Sequence, residues 1–361
     1  MSSLVNYEPL VSSTLDVFLT KTEEMYANTG KSCDFGQWLQ YFAFDVIGDL
    51  TWSKRLGFIE ENRDVDGIIA FLKKFLSYAG PIGQMPTLDL FLEKNPISMW
   101  AQRIGLSKSS FPVTVFAQKR SNERAGEIQK IKAYGLSEDK ANPRGVDLLS
   151  KFAQAAHDHP EFMTDTQVLA SCTSMVFAGS ETTAISLSSV FYFLLKHPRV
   201  YAKLMSELDD AVTNGTVESR LNKTVSWSES QKLPYLDAVI QESFRLHPAA
   251  GLILERIVPP QGMDILGNFV PGGTIVGCNA WVLHRRPEVF GADVDVFRPE
   301  RWIEASLEKQ KEMRGTMFQF GAGARTCIGK NVSLLEVYKL VPSFLRRFEV
   351  SPSSLSRNHG F

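Results

Sequence analysis

Phe320-Gly321-Ala322-Gly323-Ala324-Arg325-Thr326-Cys327-Ile328-Gly329 sets one cysteine among three glycines and an arginine, just ahead of a run from Asn331 to Phe348 that reads as a helix. A cysteine in such a place stays ionised when positive charge or the free amides of a helix start lie close by. Gly321, Gly323 and Gly329 let backbone approach a flat group and aim amides at the sulfur. Arg325 reaches an acidic substituent on that group's edge. Cys327 is therefore the candidate metal ligand, an iron thiolate. A lone Gly-x-Cys-x-Gly is more often a glycine-rich turn around a buried cysteine, so the reading depends on what else the chain carries.

Three further elements bear on it. Glu242 and Arg245 lie one helical turn apart at the end of the run Leu236, Val239, Ile240, a spacing that puts carboxylate and guanidinium on one face. Alone, such a pair is an ordinary solvated ion pair. Between it and the cysteine stands Phe297-Arg298-Pro299-Glu300-Arg301-Trp302. The third element, Ala178-Gly179-Ser180-Glu181-Thr182-Thr183, falls inside a helix expected from Asp165 to Lys196, with Thr164 and Gln167 as a capping box and His197-Pro198 as the stop. That helix is about 48 Å long at about 1.5 Å per residue. A mid-helix glycine is about 1 kcal/mol worse than alanine, so packing alone must explain it as a polar notch where helices cross.

In this order the four elements resemble the cytochrome P450 family. The cysteine segment fits its heme loop, Phe-x-x-Gly-x-Arg-x-Cys-x-Gly, at every fixed position; residues 297–302 resemble its Phe-x-Pro-x-Arg-Phe element, with Trp302 in the last place; residues 178–183 resemble its oxygen-activation segment. The resemblance implies heme b with Cys327 as axial thiolate, cradled by Phe320, Gly323, Arg325 and Gly329, with Arg256 as a second propionate partner. It implies a buried triad of Glu242, Arg245 and Arg301 behind the heme, a helix that bulges at residues 178–183, and Glu181 and Thr182 as the acid and alcohol that relay protons to bound O2. The expected reaction inserts one oxygen atom into an apolar small molecule. Segments around Ala43 to Gly57 and Val276 to Trp302 look like the fungal branch that tailors secondary metabolites. No dinucleotide or flavin fingerprint is visible, so electrons are expected from NADPH-cytochrome P450 reductase, docking near Lys309, Lys311, Arg314 and Lys330. Candidate substrate-lining residues are Phe177, Ala178, Thr182, Leu252 and Ile253.

Composition is consistent with this. The chain has 361 residues, 44% hydrophobic, and a net charge of -1, which gives no global attraction to nucleic acid. Its four cysteines lie far apart without Cys-x-x-Cys, against a disulfide framework or structural zinc. The six histidines read as solvated or locally bonded. Amphipathic runs predict helices over Leu10–Tyr26, Trp38–Leu50, Val65–Tyr78, Val113–Ile131 and Val146–His157. Short strands are expected at Ile253–Ile257, Met263–Leu266, Asn268–Val270 and Thr274–Asn279, in one small sheet turned at Pro271-Gly272-Gly273.

The expected fold is mainly α, the P450 fold as a helix-rich single domain with small β-sheets, residues 1–361 forming a partial domain that lacks the family's N-terminal part and its C-terminal hairpin. The family sits on the cytoplasmic face of the endoplasmic reticulum; no anchor is read in these residues, which leaves a cytoplasmic location open. Two other readings stand beside the monooxygenase. One is a non-catalytic remnant with weak or no heme binding. The other is a dehydratase or isomerase on the same fold, against which the pair Glu181 and Thr182 counts.

Overall fold

The chain was analysed as a computed structural model that describes residues 6–92, 94–104, 111–133 and 146–351. Its longer helices are α1 (Glu8–Thr22), α2 (Phe35–Trp52), α3 (Ile68–Gln84), α4 (Pro112–Ala133), α5 (Leu148–Asp158), α6 (Asp165–Lys196), α7 (Pro198–Thr213), α8 (Pro234–Leu246), α9 (Leu307–Thr316) and α10 (Lys330–Arg347). Four short strands, β1 (Leu254–Ile257), β2 (Met263–Ile265), β3 (Asn268–Val270) and β4 (Ile275–Cys278), lie between α8 and α9. The amphipathic runs thus become helices whose ends shift by a few residues, and α6 has the bounds its capping box and His-Pro stop predict. Thr164 and Gln167 exchange side-chain and backbone hydrogen bonds at its start.

The chain divides into two compact units, Met1–Lys21 with Gln40–Glu181, and Thr22–Leu39 with Thr182–Phe361. In the first, buried charge is placed where backbone or an opposite charge can receive it. Asp45 is fully buried and accepts the amides of Leu56, Gly57 and Ile59 at 2.8 Å each. Asp147 caps α5 through the Ser150 amide and binds Arg124 Nε at 2.7 Å and Ser53 Oγ at 2.9 Å. Phe75 packs edge-on against Phe177 and against Phe111, and Phe111 lies tilted to Phe177, which places this expected substrate-lining residue in an aromatic cluster.

The second unit carries the site. Its core includes α10, buried continuously from Leu335 to Leu345, and α8, buried nearly all round. A helix with no solvent face must partner every charge it holds. Pro234 opens α8, and Glu207 on α7 accepts the next two amides, Tyr235 at 2.7 Å and Leu236 at 2.9 Å, which fixes its start. The strands form two separate antiparallel pairs, β1 with β4 and β2 with β3, where the sequence suggested one sheet. The Pro271-Gly272-Gly273 turn forms as expected: Gly273 takes φ 82°, and a β-carbon on Gly272 would lie 2.3 Å from the Pro260 carbonyl oxygen.

Candidate active site

Glu242 and Arg245 sit on α8 with no exposed surface, and Arg301 is 3% exposed. Arg245 forms a fork on the carboxylate, Nε to Oε2 at 2.9 Å and Nη2 to Oε1 at 2.8 Å. Arg301 Nε joins Oε1 at 2.9 Å. Two further donors complete the set, the Trp302 indole N–H to Oε2 at 2.9 Å and the Arg298 amide to Oε1 at 3.0 Å. The remaining guanidinium nitrogens donate to backbone carbonyls of His284, Phe290, Asp293, Val294 and Val296. Asp293 receives Arg301 Nη1 at 2.9 Å and Arg298 Nε at 2.7 Å. Burial works against its ionisation, but the two arginines outweigh it and bring its carboxyl down to about 2.

The same network reaches the cysteine loop. His284 is fully buried; its Nδ1 lies 3.0 Å from the Arg245 carbonyl and its Nε2 accepts the Phe318 amide at 2.7 Å. From Phe318 the chain turns, with the Gly321 amide on the Phe318 carbonyl at 2.9 Å, and Gly321 and Gly323 take φ 66° and 69°. Only glycine holds such values without strain. The Cys327 amide closes the loop on the Phe320 carbonyl at 2.9 Å. Cys327 carries an exposed free thiol three residues ahead of α10, whose N-cap is Gly329. A side chain at Gly329 would stand 3.8 Å from that sulfur. Around it Arg325 is exposed and Ile328 is 95% exposed, so charge and apolar surface lie side by side. Phe320 packs edge-on to Phe244 of α8 and lies under Lys330. Arg256 on β1 is exposed too, its Nη1 on the carbonyl of Glu255 at 2.6 Å.

In the oxygen-activation segment the finding differs from expectation. Helix α6 is α-helical through residues 178–183 and shows no bulge. Its hydroxyls fit the helix instead: Ser180 and Ser186 each donate to the carbonyl four residues back. Gly179 packs closely on α2, where a β-carbon would lie 2.8 Å from the Ile47 Cδ1 methyl and push that side chain aside. Glu181 is half-buried and accepts the Gln40 side-chain amide. Burial raises its pKa and Gln40 pulls the other way. Thr182, next in the chain, is exposed, while Thr183 is buried with its hydroxyl 3.2 Å from Ser333 on α10. Leu252 and Ile253 are exposed, ahead of and beside β1. The expected basic patch is partly neutralised: Lys309 pairs with Glu312 at 2.8 Å and Arg314 with Asp237 at 2.6 Å.

The Cytochrome P450 family model matches residues 1–359. The chain is 43% identical over 97% of its length to a cytochrome P450 monooxygenase of Aspergillus terreus, covering 68% of that protein. It is also 43% identical to the cytochrome P450 monooxygenase cicH of Emericella nidulans, covering 66%, and 36% identical to mpaDE of Penicillium roqueforti, covering 39%. The chain belongs to the cytochrome P450 family. It spans about two thirds of the length of the first two relatives. The family's heme suits the residues found here: one accessible thiol on a loop whose glycines leave room beside the sulfur, with two exposed arginines for acidic groups. Among the described residues no cluster of three or more His, Cys, Asp or Glu could hold a metal ion.

Sequence reasoning located the triad but missed Trp302 as a donor, though an indole in place of the family's phenyl was the available signal. His284, expected to be solvated or locally bonded, is instead buried and bonded to partners 39 and 34 residues away; Asp293 and Gln40 gave no signal, since their partners are fixed only by the fold. Two stability tests follow. Trp302→Phe should lower unfolding free energy in a denaturant titration by about 1.5 to 3 kcal/mol, the range for a hydrogen bond to a charged group; Glu242→Ala, which strands two guanidinium groups, should lower it by about 3 to 5 kcal/mol. Asp293, with its carboxyl held below the usual range, adds stability that is complete above its unfolded value and lost as pH falls toward about 2. Asp293→Asn should therefore flatten the acid limb of a melting-temperature profile below about pH 4.

Proposed function

We propose that the chain carries the heme-thiolate machinery of a cytochrome P450 monooxygenase that inserts one oxygen atom from O2 into an apolar small molecule, in fungal secondary metabolism. The observation that carries this is the Cys327 loop, where a free and exposed thiol is presented on a turn that is bonded at both ends. Residues 1–361 are read as one partial domain of the family. The remnant reading is not favoured: the relatives are named as monooxygenases, and the buried Glu242 network is complete.

Cys327 Sγ would hold the heme iron, with Phe320, Gly323 and Gly329 around the sulfur and Arg325 and Arg256 as proposed partners for the acidic groups of the heme. Bound heme supplies an iron centre at which dioxygen is activated. The chain's own part is to hold and move protons. Glu181 keeps a proton more readily than a solvated glutamate because burial penalises its charge. Thr182, next in the chain, presents an exposed hydroxyl and is retained as the alcohol of the proposed relay. Phe177, Ala178, Leu252 and Ile253 are retained as candidate substrate contacts.

NADPH-cytochrome P450 reductase is the proposed electron donor. Of the four basic residues expected to meet it, Lys311 and Lys330 have no carboxylate partner among the described ion pairs. Among the described residues no helix is long and apolar enough to cross a membrane. Leu90, Phe91, Ile97 and Trp100, close together in sequence, expose their apolar side chains; the cytoplasmic face of the endoplasmic reticulum is retained as the proposed location.

In the ferrous carbon monoxide spectrum of the heme-loaded chain, a strongly red-shifted Soret band is expected, and Cys327→Ala should abolish it; an unchanged band would end the ligand assignment. Thr182→Ala should send reducing equivalents to hydrogen peroxide instead of product. Full coupling in that variant would remove Thr182 from the relay.

A further inference from the structure

We infer that His284 is a positioning residue for the cysteine loop: its ring ties the start of that loop, at Phe318, to the backbone of Arg245 in the Glu242 network. The Phe318 amide can only donate, so Nε2, 2.7 Å away, must accept. The ring proton is then on Nδ1, which donates to the Arg245 carbonyl at 3.0 Å. A third bond runs the other way, from Arg245 Nη1 to the His284 carbonyl at 3.0 Å. Residue 284 is thus clasped to Arg245 from both sides, and its one remaining ring nitrogen is spent on the loop.

Filling space does not require this arrangement. A fully buried imidazole with both nitrogens bonded is orientationally fixed. Burial, with the charges of Arg245 and Arg285, holds the ring neutral down to about pH 4, so the Nε2 lone pair is available at neutral pH. What it holds is the frame of the ligand. Phe318 is bonded at its amide by His284 and at its carbonyl by Gly321, and two residues on the Phe320 carbonyl receives the Cys327 amide. The path from the buried carboxylate to the cysteine backbone therefore runs Glu242, Arg245, His284, Phe318–Phe320, Cys327. The inference rests on the proposed function for its importance, since Cys327 must be the ligand for the loop's register to matter.

Two substitutions separate the two ring nitrogens. His284→Asn places a side-chain amide near the position of Nδ1 and keeps the bond to Arg245, but leaves the Phe318 amide without an acceptor. His284→Gln places a carbonyl oxygen near Nε2 and keeps the Phe318 bond. In the full chain, with and without added heme, His284→Asn should speed hydrogen exchange at the Phe318 and Cys327 amides on the order of tenfold, while His284→Gln stays within about twofold of the parent. With heme, the Asn variant should lose part of its red-shifted carbon monoxide band to the position of a protonated thiol, and Gln should retain it. Equal effects of the two variants, or none from Asn, would overturn the inference. Nitrogen NMR of the parent chain, which needs no variant, should show the Nδ1–H tautomer; an Nε2–H tautomer would overturn it equally. If Cys327→Ala leaves the spectrum unchanged while the exchange contrast holds, the ligand assignment fails and the positioning role of His284 stands.

Discussion

A carboxylate with no exposed surface governs the second unit. Glu242 meets two guanidinium groups in a place where an isolated charge would be costly by several kcal/mol. It is tolerated because five donors from Arg245, Arg298, Arg301 and Trp302 surround its two oxygens. The arrangement cannot be relaxed piecemeal, since removing one partner leaves another buried and unpaired. It therefore fixes α8 against residues 284–302, a stretch with only short helices and no sheet of its own. Here charge satisfaction does for an irregular segment what ladder hydrogen bonds do for a strand.

Rigidity of that kind is useful beside a loop that must stay open. The cysteine segment is exposed over most of its length, takes positive φ at two glycines and has little apolar packing of its own. Such a segment would sample many shapes unless bonded at its ends. It is bonded at three points: His284 at Phe318, the Phe320 carbonyl at Cys327, and α10 beginning immediately after Gly329. Exposure of the thiol and order of the loop are compatible because the supporting groups lie behind the loop rather than over it.

Much of this was legible from local codes. The capping box and His-Pro stop fixed α6 to the residue, because both act within one turn. The cysteine segment was legible because its glycines and arginine are close in sequence. Partners chosen by the fold were not. Arg245 and His284 are 39 residues apart, and Asp293 meets Arg301 only after the chain has turned back. The strands show the same limit. The β2–β3 pair joins neighbours across a turn in which Gly267 takes φ 80°, whereas β1 skips both to pair with β4. Position alone suggested one sheet; register separated the pairs.

The contrast between Glu242 and Glu181 shows how one residue type serves two ends. Both lie on helices, Glu242 with no exposed surface and Glu181 half-buried. Glu242 is enclosed by cationic and N–H donors on both oxygens. Glu181 has the uncharged amide of Gln40 as its side-chain donor, and burial shifts it toward the protonated form. A structural carboxylate needs donors in excess; a proton carrier needs few, because each added donor would lower its pKa and hold the proton off. The sequence places an arginine three residues after Glu242 and a threonine directly after Glu181. That difference in neighbour is the first point at which the two roles part.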